Sequence, residues 1–135
     1  MSTSSSPTLE LTQNRVRVAG FLKRKPGISK EEFTRRWLQH AELFKSTEMS
    51  KNVFKYDQMH VNDETNALLK QMGAPTCDWD GIAIMEVESF EKILSITTNE
   101  EYERVLVPDE LGFLDREKTQ VVPLNFGVFI DRPEK

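Results

Sequence analysis

The most strongly patterned segment of the chain opens at Ser29-Lys-Glu-Glu32, a capping box. The Ser hydroxyl there can accept from the third helical amide while the Glu reaches back. The helix that follows carries Phe33, Trp37, His40, Ala41 and Phe44 at i, i+4, i+7, i+8 and i+11, a single stripe. Arg35, Arg36, Gln39 and Glu42 fall on its other faces, and the pattern runs to about Lys45. So apolar a stripe needs a surface to cover, and the flanking segments supply one. Arg15 to Lys23 alternates polar and apolar as a strand does, and Lys25-Pro26-Gly27 turns it. Asn52 to Val61 reads as a second strand, with Phe54, Tyr56, Gln58 and His60 on one face and Val53, Lys55, Asp57, Met59 and Val61 on the other.

The rest of the chain repeats the scheme. Asn62 to Asp78 has mixed signals, with one helical turn around Asn66 to Met72. Gly81 to Val87 is a third strand. Ser89 caps a short helix with Phe90, Ile93 and Leu94, and Asn99 caps a turn or two that Pro108 halts. Asp109 to Asp115 reads as a loop, and Gln120 to Ile130 as a last strand that tolerates Pro123 only at an edge or bulge. The order is β-α-β-β-α-β. This gives an α+β, ferredoxin-like fold: a four-stranded antiparallel sheet with both helices on one face. The other face is left bare. A twofold homodimer whose sheets close around each other, with a cavity on each inner face, is the expected solution.

Composition bounds the function. The 135 residues make one domain, residues 15–135, behind a flexible Ser/Thr-rich tail over residues 1–14. A formal charge of −4 with no basic stripe argues against a nucleic-acid partner. Apolar runs of a few residues do not span a membrane, and the start lacks a secretory pattern, so a cytoplasmic protein is expected. The lone Cys77 excludes an intrachain disulfide and a multi-cysteine metal site, and no nearby histidine activates it. There is no GxGxxG or GxxxxGK[ST] loop.

The two histidines are the candidates for chemistry. His40 lies on the aromatic stripe three residues after Trp37, and His60 shares a strand face with Tyr56 and Gln58, so a phenol and an imidazole can meet one ligand. A purely structural account of both, with His40 in the core and Tyr56 and His60 in a dimer interface, fits the same spacing. A metal site from His40, His60 and Asp57 or Asp80 has no local ligand spacing behind it, and Asp57 points away from His60. Arg17 and Lys23 share a face of the first strand, where solvated charge explains them as well as a bound carboxylate does.

Four stretches resemble the EthD-domain family: Val18 through His40, Tyr56 to His60, Asp78 to Ile82 and Pro108 to Asp115. The likeness spans roughly residues 15 to 130 and is closest to small fungal EthD proteins of aromatic-polyketide pathways. It implies the dimeric α/β barrel and a decarboxylase of anthraquinone-type acids such as atrochrysone carboxylic acid. By position it carries the family's histidines onto His40 and His60, its preceding aromatic onto Trp37 and its late aspartate onto Asp115. The family's frequent His-Gly pair is His40-Ala41 here. The expectation is a cofactor-free lyase, with no metal, flavin or nicotinamide. His60 or Tyr56 would stabilise an enolate, and His40 would shuttle the proton. Trp37, Phe54 and Phe126 would enclose the rings, with Gln58 and Asp115 also touching substrate. A cyclase or dehydratase in the same cavity, a cofactor-free oxygenase and a non-catalytic polyketide binder are the alternatives.

Overall fold

The computed structural model describes residues 10–134. Its sheet has the order β2-β3-β1-β4, all neighbours antiparallel. The strands are β1 (Val16–Leu22), β2 (Val53–His60), β3 (Gly81–Val87) and β4 (Gln120–Leu124). Helix α1 (Lys30–Lys45) joins β1 to β2, α2 (Asp63–Gln71) joins β2 to β3, and α3 (Phe90–Thr97) follows β3. A π-helical stretch, Tyr102–Leu106, then runs directly into α4 (Val107–Glu110). This is the ferredoxin-like α+β architecture expected from the element order.

Local chemistry sets the element ends. The Ser29 hydroxyl accepts from the Glu32 amide at 3.1 Å, and Ser89 does the same for Lys92 at 3.3 Å. Gly27 turns the chain after β1 with φ of +90°, a conformation that costs side-chain-bearing residues energy. Pro123 sits on the edge strand β4, where its missing amide breaks no inner ladder.

Three sequence expectations are corrected. The segment after Val61 is a nine-residue helix rather than one turn, capped by the Asn62 side chain on the Thr65 amide at 2.9 Å. Pro108 does not stop the second helical region. The π stretch before it already departs from i→i−4 bonding, so a residue without an amide fits as the helix continues to Glu110. The last strand ends at Leu124. Beyond it the chain is held by the Thr12 amide donating to the Phe126 carbonyl at 2.7 Å.

The core lies between the helices and one sheet face. One cluster joins Val16 and Val87 of the sheet to Phe44, Ile96 and Leu106 of the helical layer. A second joins Leu22 to Phe33, Trp37, Phe113 and Leu114. Phe33, Trp37 and Phe113 are essentially inaccessible, each removing apolar surface that stabilises the fold by about 1.5–3 kcal/mol. The opposite face carries Phe21, Ile82, Ile84 and Met59, and among the described residues no helix covers it. There Glu86 receives Arg15 and Arg17, each at 2.9 Å, and these guanidinium groups hold its carboxyl below the usual carboxylate range.

The Trp37 ring lies so close over β3 that a Cβ on Gly81 would overlap it. Gly81→Ala is therefore expected to destabilise the chain by about 1–3 kcal/mol through forced repacking. A lowered urea midpoint with an unchanged slope checks this, and an unchanged midpoint would contradict the packing described.

Candidate functional site

Helix α1 presents His40 on the same stripe as Trp37 and Phe44, facing the sheet. What meets it comes from about seventy residues later. Phe113 to Asp115 extends the sheet pairing past β1: the Lys25 amide donates to the Phe113 carbonyl at 2.8 Å, and the Asp115 amide to the Lys23 carbonyl at 2.9 Å. That pairing pins the end of α4 against α1. His40 Nδ1 then lies 2.7 Å from Asp109 Oδ2, and His40 Nε2 lies 3.6 Å from Glu110 Oε2.

Glu110 is the hub of this cluster. It is buried, and its Oε2 also accepts the Tyr102 hydroxyl at 2.8 Å, while Oε1 lies 3.4 Å from Arg116 Nε. Burial opposes charge on His40. The two carboxylates outweigh it, Glu110 first and then Asp109, and raise the imidazole above its ordinary value. Burial raises the Tyr102 phenol strongly, with the Glu110 charge adding to the shift, so that phenol keeps its proton.

Two cavities lie between the helical layer and the sheet and share Leu22, Ala83, Met85, Ile96, Tyr102 and Glu110 as walls. The larger, about 270 Å³, continues to Arg116, Thr119 and Val121. The smaller, about 130 Å³, is lined by Trp37, His40 and Tyr56. Both are on the helix side of the sheet.

Three of the eight site residues expected from sequence line the smaller cavity: His40, Tyr56 and Trp37. Gln58 lies behind them, donating to the Trp37 carbonyl at 2.9 Å and the Tyr56 hydroxyl at 3.1 Å. His60 is exposed and lines neither cavity. Its ring rests on Trp37, 4.4 Å between centroids, and its Nε2 lies 3.0 Å from the Gln58 amide oxygen. Burial, then the Lys30 charge, lowers its imidazole below the ordinary value. Burial also raises the Tyr56 phenol.

The expected aromatic enclosure by Trp37, Phe54 and Phe126 does not form. A register shift between Val53 and Lys55 takes Phe54 off the Tyr56 face, and Arg15 covers its ring at 4.2 Å. Arg17 covers Phe126 at 3.8 Å. Asp115 closes a surface turn, its carboxylate accepting from the Lys118 amide at 3.3 Å. Among the described residues no group of three or more His, Cys, Asp or Glu is arranged to hold a metal ion, and no helix is long and apolar enough to cross a membrane.

Asp109, Glu110, Tyr102 and Arg116 were missed from sequence. The signal for two of them was present: Tyr102, Leu106 and Glu110 are spaced i, i+4, i+8, one helix face. Reading Pro108 as a stop hid it.

The ion pairs of His40 make stability depend on pH. Its folded pKa lies above the ordinary value of 6.5, so this stabilisation is complete below that value and is lost as pH rises through the folded pKa. The urea midpoint is expected to fall as pH rises above about 6.5, and His40→Gln should flatten that fall. Equal slopes in wild type and variant would contradict the assignment.

Comparison with known proteins agrees with the fold and identifies the family. Decarboxylase claH of Passalora fulva is 28% identical over 103 residues, covering 73% of this chain and 67% of its own. A dimeric, ferredoxin-like protein of unknown function from Bacteroides fragilis superposes with a TM-score of 0.58 at 14% identity, over 84% of this chain and 98% of the other. SnoaB, a cofactor-independent oxygenase from Streptomyces nogalater, superposes with a TM-score of 0.51 at 11% identity, over 90% and 100% of the two chains. At such identities the structural likenesses speak for the fold alone. The EthD domain family model matches residues 25–117, from the turn after β1 to just past Arg116, and the chain belongs to the EthD-domain family.

Proposed function

We propose that the protein is a cofactor-free lyase that removes CO2 from an aromatic or pre-aromatic polyketide acid of the atrochrysone carboxylic acid kind. The observation that carries this reading is the pair of neighbouring, largely apolar cavities that share Tyr102 and Glu110 as walls, with His40 and Tyr56 lining the smaller. Family membership and the decarboxylase relative support it.

In this reading the bond from carbon to carboxylate breaks, its electron pair stays on carbon, and negative charge spreads to the neighbouring oxygen. The Tyr56 hydroxyl, a neutral phenol oriented by Gln58, donates to that oxygen. His40, whose protonated form two carboxylates favour, delivers the proton to carbon, balancing the loss of neutral CO2. Asp109, the more exposed of the two carboxylates, leads the replacement proton in from solvent. His60 acts through Gln58 as a positioning residue. The open sheet face is the surface on which a second copy would pack, and the dimeric state of neighbours with this fold supports such a pairing.

Anaerobic incubation with atrochrysone carboxylic acid tests the reading. A product lighter by one CO2, formed faster than in the protein-free control, is expected. His40→Gln should lower kcat by about 10²- to 10⁴-fold, and His60→Ala by less. A product of unchanged mass, or lighter by one water, would replace the lyase with a cyclase or dehydratase. Dependence on dioxygen would replace it with an oxygenase.

A further inference from the structure

The larger cavity has an uneven charge pattern. Its walls are apolar along Val18, Ala83 and Met85, and among the described residues the one permanent cation lining either cavity is Arg116. Arg116 lies toward the solvent side, its side chain 44% accessible while that of Glu110 is 10% accessible. Its contact with Glu110 is made through Nε at 3.4 Å, and among the described residues the guanidinium makes no hydrogen bond. The two terminal nitrogens thus remain available, and a guanidinium edge matches a carboxylate in a bidentate fork.

We propose that Arg116 is the anchor for the carboxylate of an aromatic acid, and that the larger cavity selects such acids over their neutral counterparts. This rests on the lyase reading of the site and adds the residue that recognises the acid. With the substrate carboxylate on Arg116, the flat rings lie along Ala83 and Met85, and the carbon that loses CO2 faces past the shared wall of Tyr102 and Glu110 toward His40 and Tyr56. Glu110 then gives up part of its pairing with Arg116. It keeps the Tyr102 hydroxyl at 2.8 Å and faces the His40 imidazole at 3.6 Å, so the buried carboxylate is not orphaned by the exchange. Once CO2 has left, the product has no carboxylate to hold the guanidinium, and Arg116 returns to Glu110. Recognition and release of product follow from one ion pair changing partners.

The test uses two stable probes, 3-hydroxy-2-naphthoic acid and its methyl ester, titrated calorimetrically into the full chain. The wild type should bind the acid about 10- to 100-fold more tightly than the ester, as a charge-assisted contact gives. Arg116→Met should abolish that preference, whereas Arg116→Lys, a point charge without the fork, should keep part of it. Thermal melting of each variant shows whether it is folded, and a folded Arg116→Lys decides the matter if Arg116→Met is not. Equal or absent binding of both probes by the wild type overturns the anchor, as does a preference that survives in Arg116→Met. Turnover on the polyketide acid separates this from the parent reading. A lost preference in a protein that releases no CO2 keeps the anchor and removes the lyase. CO2 release with an unchanged KM in Arg116→Met keeps the lyase and removes the anchor.

Discussion

The contact between His40 and the end of α4 is the one on which the rest of the site depends. Neither partner is placed by its near neighbours in sequence. His40 is fixed by a helix stripe that buries Phe33, Trp37 and Phe44. Asp109 and Glu110 are fixed by a helical region that runs through Pro108 and by sheet-like pairing of Phe113 to Asp115 with Lys23 to Lys25. The ion pairs tie these two systems together at 2.7 and 3.6 Å, which turns two apolar gaps into cavities with a charged pole. A buried imidazole without those carboxylates would favour its neutral form. Between them its protonated form is favoured, the state in which it can deliver a proton.

The separation of the two sheet faces follows from the same frame. Residues that alternate toward the helices, such as Tyr56 on β2 and Ala83 and Met85 on β3, build the cavity walls, with Gln58 behind Tyr56. Those that alternate away carry the salt-bridged Glu86 and the stacked Phe54 and Phe126. One face thus holds candidate chemistry and the other is organised by arginines lying on aromatic rings. Charge that is neutralised and rings that are covered suit a surface that meets a second protein.

Most of the fold was legible in the sequence because it rests on local rules. The capping box, the α1 stripe and the alternation of β1 and β3 each follow from a spacing within a dozen residues, and the element order then leaves few topologies. The site was only partly legible. His40, Tyr56 and Trp37 could be found because their faces follow from unbroken periodicity. Phe54 was misplaced by a single bulge between Val53 and Lys55, which turns it away from the face that Tyr56, Gln58 and His60 share. Glu110 was hidden because proline usually ends a helix, and here a π stretch admits it. Its pairing with a histidine seventy residues earlier is a tertiary fact that no local spacing encodes.

The most direct test of the central claim, that the helix-side cavity is the substrate site, is methyl NMR of the methionines during titration with an aromatic acid. Met85 lines both cavities, whereas Met59 points to the uncovered sheet face. The account predicts that the Met85 methyl shifts with saturation while Met59 stays unmoved by the ligand. A saturable shift at Met59 with Met85 silent would place the ligand on the open sheet face and contradict the account.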